Sequence, residues 1–247
     1  MIVEANGLSV RYGPRVALEQ ASFTARPGEF LAVIGPNGSG KSSLVKAVAG
    51  LLTPTGSLSF GGGARPGLGV GYMPQDIGGR ATLTVLEAVL LGRLGRLGLR
   101  VSPADLDGVR AVLAELGIEA LAPRYLEELS GGQRQLVFLA QALASEPTLL
   151  LLDEPISALD IRHQFDVLDR LRTLTTVRGL TTICVLHDLN AAGRYADQML
   201  ALKAGRTVVY GPTAQVLTRD LVANLFEVEA LVEDRDGRPC VTPLRAL

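Results

Sequence analysis

Residues 30–43, FLAVIGPNGSGKSS, combine a short apolar run, a glycine-rich loop and the start of a helical pattern. The segment GPNGSGKS fits the pattern G-x-x-x-x-G-K-[ST] in full, between a predicted strand and a helix predicted over 41–50. Glycines in such a loop let backbone N–H groups surround phosphates, Lys41 adds a charge near the β and γ phosphates, and Ser42 offers a hydroxyl to Mg²⁺. The alternative, an ordinary glycine-rich turn, is disfavoured by the flanking strand and helix. The predicted phosphate-binding residues are Gly35, Pro36, Asn37, Gly38, Ser39, Gly40, Lys41, Ser42 and Ser43.

Further strands and helices alternate on the C-terminal side of this loop. TLLLLDEP (148–155) and TTICVLHD (181–188) are near-continuous apolar runs, typical of parallel strands with both faces covered. Helical patterns follow them at 161–177 and 189–196. The alternation predicts an α/β fold in which a P-loop NTPase core carries a mostly parallel sheet.

The remaining segments add to this core without indicating a separate second domain. Turn signals divide residues 2–34 into short strands, which we interpret as an N-terminal antiparallel β region. Helical spacing at 82–92 and 103–117 predicts a helical subdomain over about 78–145. We therefore expect one domain over residues 1–247. The other predicted elements are strand pieces at 57–60 and 69–73, helix and loop in LGRLGRLGLR (91–100), a hairpin at 201–211, helices over 213–227 and a short β-like tail.

Composition argues against several classes of protein. The net charge of the 247 residues is −1, so no basic excess points to nucleic acid. The N-terminus lacks a charged start and a long apolar run, and no stretch of about 18 apolar residues could span a membrane. Two cysteines fit a reducing compartment better than a disulfide scaffold.

Polar residues follow the predicted strands. Asp153 and Glu154 end one apolar run, where Asp153 suits a Mg²⁺ contact and Glu154 could activate a water as general base. Alternatively, Asp153 and Glu154 could only cap a helix, but the presence of the phosphate loop disfavours this interpretation.

His187 ends the next run and could hydrogen-bond a γ-phosphate, although lone histidines are usually structural. Gln75 follows a short strand, and its amide could reach Mg²⁺ or water. Open α/β sheets bind ligands at the carboxyl ends of their strands, so we expect these side chains to meet there.

A second anion-binding segment is LSGGQRQL, residues 129–136. A serine and two glycines open a helical stretch, so free N–H groups and the helix dipole could hold a phosphate without a lysine. The predicted residues are Ser130, Gly131, Gly132 and Gln133. His163 lies between polar residues on a predicted helix and is interpreted as a surface residue.

In this order, GPNGSGKS, Gln75, LSGGQ, LLLLDEP, SALD and His187 resemble the motifs of the ATP-binding cassette (ABC) ATPases, and the resemblance covers essentially the whole chain. It implies binding of ATP and Mg²⁺ and transport-coupled ATP hydrolysis. It also implies that two copies pack head to tail. The Ser130 segment of one copy then closes on the γ-phosphate held by Lys41 of the other, which explains an anion site without a lysine.

The resemblance also implies roles for single residues. Tyr12 matches the aromatic residue that stacks on adenine, and Asp160 in SALD matches an aspartate that crosses the dimer interface. Gln75 matches the glutamine that senses Mg²⁺ and contacts membrane subunits. Ile156 departs from the usual threonine or serine, while the neighbouring motif residues are intact.

Three stretches resemble the importers of iron–siderophore complexes, haem and cobalamin. Such a subunit is implied to lie peripherally at the cytoplasmic face of the cell (inner) membrane, bound to separate permease subunits and served indirectly by a substrate-binding protein. Open alternatives are another importer, such as one for metal ions, an exporter component, or a soluble cassette ATPase outside transport. The stretches are LAQALASEPTLLLLDEP (139–155), ALDIRHQFDVLDRLR (158–172) and LHDLNAAGRYADQ (186–198).

Overall fold

The computed structural model describes residues 1–61, 69–75, 82–95, 97 and 100–247. Nine of its strands form one sheet, and the last two form a separate hairpin. The strands are β1 (Val3–Tyr12), β2 (Arg15–Ala25), β3 (Phe30–Ile34), β4 (Thr55–Phe60), β5 (Val70–Met73), β6 (Leu149–Asp153), β7 (Thr181–Val185), β8 (Gln198–Lys203), β9 (Arg206–Pro212), β10 (Val228–Arg235) and β11 (Arg238–Ala246).

Eight α-helices and two 3-10 turns occur in the described part of the chain. None of these helices is long and apolar enough to cross a membrane. The helices are α1 (Lys41–Ala49), α2 (Val85–Leu91), α3 (Pro103–Glu115), α4 (Gly131–Ala144), α5 (Ile161–Val177), α6 (Leu189–Tyr195), α7 (Thr213–Val216) and α8 (Arg219–Phe226), with 3-10 turns at Glu119–Leu121 and Leu126–Glu128.

The large sheet has the strand order β4-β1-β2-β9-β8-β3-β7-β6-β5. Strand β3 pairs in parallel with β7 and β8, while β6 pairs in parallel with β5 and β7. The pairs β1–β2, β1–β4 and β8–β9 are antiparallel. The predicted mostly parallel core with an N-terminal antiparallel region is thus confirmed. Its parallel strands carry their carboxyl ends to one edge, where the polar residues lie.

Two apolar layers cover the parallel strands. Along β6, Leu150 and Leu152 face a cluster built with α2 to α6, while Leu149 and Leu151 face α1 and the antiparallel strands. Both layers are fully buried at β6, which explains the near-continuous apolar run in its sequence. Helices α2, α3 and α4 pack on one another within the first layer, so they share a core with the sheet.

The buried strands are shorter than the apolar runs predicted. Strand β6 stops at Asp153 because Glu154 adopts a left-handed backbone with φ 59°, which ends the extended conformation. Strand β7 stops at Val185, and Asp188 caps α6, because its carboxylate accepts from the N–H groups of Asn190 and Ala191. Within the predicted segment 91–100, the helix ends at Leu91 and turns follow to residue 95. Residues 96, 98 and 99, like 78–81 of the predicted helical block, lie outside the described residues.

The double-sided burial of β6 gives a stability prediction. Leu150→Ala should lower the free energy of unfolding by about 2–5 kcal/mol, because it removes buried methyl groups and leaves a cavity. Val177→Ala, at the exposed end of α5, should change it by no more than about 0.5 kcal/mol. Urea unfolding followed by circular dichroism measures both, and equal midpoints for the two variants would contradict this packing.

Candidate nucleotide-binding site

The glycine-rich loop leaves the carboxyl end of β3 and enters α1. Gly35, Gly38 and Gly40 all have positive φ angles, of 146°, 77° and 102°. A Cβ atom at Gly35 would lie 2.1 Å from the Leu202 carbonyl oxygen, and one at Gly40 would lie 2.4 Å from that of Ala17. The backbone therefore makes a tight turn against its neighbours that only glycine fits at these two positions.

Lys41 is the first residue of α1 and is almost fully buried. Its Nζ atom donates hydrogen bonds to the carbonyl oxygens of Gly35, at 2.8 Å, and Pro36, at 3.0 Å. Burial lowers the pKa of Lys41, while the nearby carboxylates of Glu154 and Asp153 act in the opposite direction. The amine is thus folded onto the loop that the sequence motif assigned to phosphates.

Ser42 and Asp153 bring together α1 and the end of β6. The Ser42 hydroxyl donates to Asp153 Oδ1 at 3.1 Å. Asp153 is fully buried, and its Oδ2 atom has no hydrogen-bond partner among the described residues. Burial raises the pKa of this carboxyl, and the hydrogen bond from Ser42 opposes that rise. A buried carboxylate oxygen without a partner, beside a hydroxyl, is the kind of oxygen pair that Mg²⁺ prefers.

Glu154 and His187 meet at the ends of neighbouring strands. Strands β6 and β7 pair in parallel, with Asp153 opposite Val185, so the residues just beyond them converge. His187 Nε2 lies 2.6 Å from Glu154 Oε1. The Glu154 side chain is only 12% exposed, whereas that of His187 is 42% exposed. The carboxylate is held with its imidazole partner at the rim of the site.

Lys41, Ser42 and Glu154 line one cleft of about 560 Å³. Asp153 and His187 do not line it but contact Ser42 and Glu154, respectively. Tyr12 stands at one side, 45% exposed, with its hydroxyl 3.5 Å from Ser43 Oγ. Gln75 also lines the cleft. An exposed aromatic ring beside a phosphate-type loop leaves room for a planar base next to a chain of phosphates.

The start of β2, the β8–β9 turn and Tyr72 near Asp153 were not predicted from the sequence as parts of this site. Arg15, Val16 and Ala17 line the cleft from the β1–β2 side, and Ala204 with Gly205 lines it from the β8–β9 turn. The turn signal Gly13-Pro14, directly after Tyr12, pointed to the first group. Tyr72 precedes Gln75 in the same segment; burial, with Asp153 nearby, raises its pKa to about 12, and its hydroxyl has no partner among the described residues.

The LSGGQ residues do not line this cleft. Ser130 caps α4: its hydroxyl accepts from the Gln133 N–H at 3.2 Å, and the Gln133 side chain accepts from the Ser130 N–H at 3.1 Å. Gly131 follows at the first helical position, and a Cβ at Gly132 would lie 2.9 Å from the Leu159 side chain. The helix start is exposed and packs beside the SALD segment.

Asp160 also lies outside the cleft and caps α5. Its carboxylate accepts from the His163 N–H at 2.9 Å, and the His163 ring Nδ1 lies 2.8 Å from each of its oxygens. The backbone hydrogen bond from His163, followed by the ring contact, lowers the pKa of Asp160. His163 is on the surface as predicted, and its contact with Asp160 was not predicted.

Comparison with known proteins identifies the family. The family described as ABC transporter matches residues 18–157. A hemin import ATP-binding protein of Gloeobacter violaceus is 38% identical over 260 residues, covering 98% of this chain and 94% of the relative. The ferric enterobactin transport ATP-binding protein of Escherichia coli is 35% identical over 249 residues, covering 96% and 92%.

Solved structures of related proteins have the same fold as this chain. The inward-facing conformation of a transporter described as being of metal-chelate type matches with a TM-score of 0.86 and 30% identity, covering 98% of this chain and 97% of that one. A dimeric ATP-binding cassette bound to ADP and Pi after hydrolysis matches with a TM-score of 0.77 and 27% identity, covering 86% and 99%. The chain therefore belongs to the ABC transporter family and is an ATPase of the ATP-binding cassette type.

Proposed function

We propose that this chain hydrolyses ATP to drive the import of iron–siderophore, haem or cobalamin-type cargo through separate membrane subunits. The observation that carries the ATPase part is the cleft lined by Lys41, Ser42 and Glu154. Asp153 contacts Ser42, and His187 contacts Glu154. The cargo class is supported by relatives that are named as hemin and ferric enterobactin import or transport proteins.

ATP would occupy the cleft with its phosphates on the loop before α1. The N–H groups of Gly38 to Ser43 and the start of α1 favour an anion there. The Lys41 amine exchanges its carbonyl partners for phosphate oxygens, which compensates for the burial of its charge. Tyr12 offers its exposed ring to the adenine base.

The same site has the oxygen donors for Mg²⁺. The Ser42 hydroxyl and the partnerless Oδ2 of Asp153 fit the metal, and the Gln75 amide on the cleft wall adds a neutral donor. When bound, Mg²⁺ supplies charge neutralisation for the β and γ phosphates.

Glu154 is the proposed general base. Its carboxylate is nearly buried at the rim of the cleft and can accept a proton as a water attacks the γ-phosphorus. His187 holds that carboxylate by its short contact and is exposed enough to reach a γ-phosphate oxygen. The pair thus orients the attacking water and contacts the group that is transferred.

A second copy of the chain would complete the site. Ser130, Gly131 and Asp160 are exposed, Gly132 and Gln133 are half-buried, and none of the five lines the chain's own cleft. The free N–H groups at the start of α4 form an anion site without a cation, suited to a γ-phosphate held by another copy. The dimeric cassette among the solved structures supports this arrangement. ATP would favour the closed dimer because only ATP offers the γ-phosphate to both copies.

The remaining parts of the proposal concern organisation and location. We infer one ATPase domain over 1–247, with a helical subdomain over about 78–145 that contains α2, α3 and α4. Permease subunits are the inferred membrane partners, with a substrate-binding protein acting through them. The chain would then lie peripherally at the cytoplasmic face of the cell membrane, as expected for the subunit of an importer.

Glu154→Gln tests the general base. The amide keeps the size of the side chain but cannot take a proton, so turnover should fall by about 10²–10⁴-fold. ATP binding should persist, and the variant should accumulate as an ATP-bound dimer. Phosphate release and light scattering measure these effects, with Glu119→Gln on an exposed 3-10 turn as the matched control. Near-normal turnover in the Glu154 variant would contradict the assignment.

The transport role is tested by gentle solubilisation of native membranes and identification of proteins that co-purify with the tagged chain. ATP hydrolysis is then measured with ferric siderophore, haem and cobalamin, each loaded on its binding protein. We expect a many-helix membrane subunit to co-purify, and one loaded binding protein to raise the ATPase rate. Recovery of soluble partners alone would overturn the transport role and leave the ATPase assignment intact.

A further inference from the structure

We propose that Gln135 is a positioning residue that holds Glu154 in place for catalysis and ties it to the start of α4. The inference rests on the proposed role of Glu154 as general base. Gln135 lies in α4, five residues after the Ser130 cap, and is buried at 5% exposure. It does not line the nucleotide cleft, so any effect on hydrolysis must pass through other residues.

The backbone of Glu154 needs outside support. Its φ of 59° lies in the left-handed region, which residues other than glycine adopt only when surrounding contacts impose it. This conformation turns the chain sharply after β6 and directs the carboxylate toward His187. A relaxed backbone at residue 154 would displace the carboxylate from the cleft.

Gln135 supplies that support with both ends of its amide. Its Nε2 donates to the Glu154 carbonyl oxygen at 2.7 Å, and its Oε1 accepts from the Ala158 N–H at 3.0 Å. One buried side chain thus hydrogen-bonds a carbonyl at one end of the turn and an N–H group at the other. The amide therefore fixes the distance between the two ends of the segment 154–158.

The other contacts of this turn come from residues within it or just after it. Ser157 Oγ donates to the Glu154 carbonyl at 3.2 Å, and Gln164 Nε2 donates to the carbonyls of Ile156, at 3.3 Å, and Leu159, at 3.0 Å. Among the described residues, Gln135 is the side chain from a distant element that hydrogen-bonds the Glu154 backbone. It thus anchors the turn to the body of the domain.

The anchor also joins two functional segments. Helix α4 begins at the Ser130 segment, and Gly132 packs against Leu159 of the same turn. A γ-phosphate from a second copy would bind at the start of this helix, while Glu154 acts on ATP in the chain's own cleft. Gln135 therefore connects the helix that begins at the Ser130 segment with the backbone of Glu154.

The test is a double-mutant cycle with Gln135→Met and Glu154→Gln. Methionine keeps the length of the side chain but removes its hydrogen bonds to Glu154, Ser157 and Ala158. Alone it should lower kcat by about 10–100-fold, as expected for a misplaced catalytic group, and leave the Kd of the isolated chain for ATP within about twofold. Gln141→Met, on the same helix, is the matched control because the Gln141 amide has no partner among the described residues.

The decisive comparison is made in the Glu154→Gln background by single-turnover hydrolysis. If Gln135 acts through Glu154, adding Gln135→Met should lower the residual rate by less than about twofold. The reason is that the carboxylate that Gln135 positions is already absent. If Gln135→Met lowers the rate as much in the Glu154→Gln background as in the unmodified chain, the inference is overturned. An unchanged kcat for Gln135→Met alone overturns it too. Near-normal turnover of Glu154→Gln alone would instead overturn the proposed base, and the inference with it.

If Gln135→Met fails to fold, Gln135→Glu takes its place. An ionised carboxylate can still accept from the Ala158 N–H but cannot donate to the Glu154 carbonyl and repels it, so the contact that supports the Glu154 backbone is removed. The same fall in kcat with an unchanged Kd for ATP supports the inference. A kcat equal to that of the unmodified chain overturns it.

Discussion

The parallel pairing of β3 with β7 and of β7 with β6 is the constraint on which the site depends. Because the three strands run in one direction, their carboxyl ends reach the same edge of the sheet. That edge brings Gly35, Asp153 and His187 together, although they are far apart in sequence. The apolar residues of these strands are buried on both faces of the sheet. The strands are therefore rigid and hold the polar residues at fixed positions.

Burial at this edge of the sheet shifts the pKa values of two charged groups. The pKa values of Lys41 and Asp153 are shifted toward their neutral forms by burial, in opposite directions. A ligand of opposite charge would offset the cost of burying each charged form. A phosphate would do so for the amine, and a cation for the carboxylate. Binding of the proposed magnesium–nucleotide complex would offset both burial costs. The Glu154–His187 contact lies next to these groups along the chain and the sheet edge.

Local signals made much of this predictable from the sequence. The phosphate loop and the helix that follows it are encoded by glycines at positions where a side chain would collide with backbone, and α5 spans the predicted residues 161–177. Two features near the nucleotide site were not predicted, because they depend on the local backbone and on contacts between distant residues. The early end of β6 follows from the backbone of Glu154, and the hydrogen bonds of Gln135 join residues 19 and 23 positions apart. No periodicity or motif spacing contains such information.

We propose that each ATP is held between the Lys41 loop of one copy and the Ser130 segment of another. Mixing two inactive variants, Lys41→Ala and Ser130→Arg, tests this arrangement. A head-to-tail dimer of one variant with the other contains one intact composite site, so ATP hydrolysis should reappear on mixing. If the mixture remains as inactive as either variant alone while the two chains still associate, each chain acts by itself or the copies pack differently, and the account is wrong.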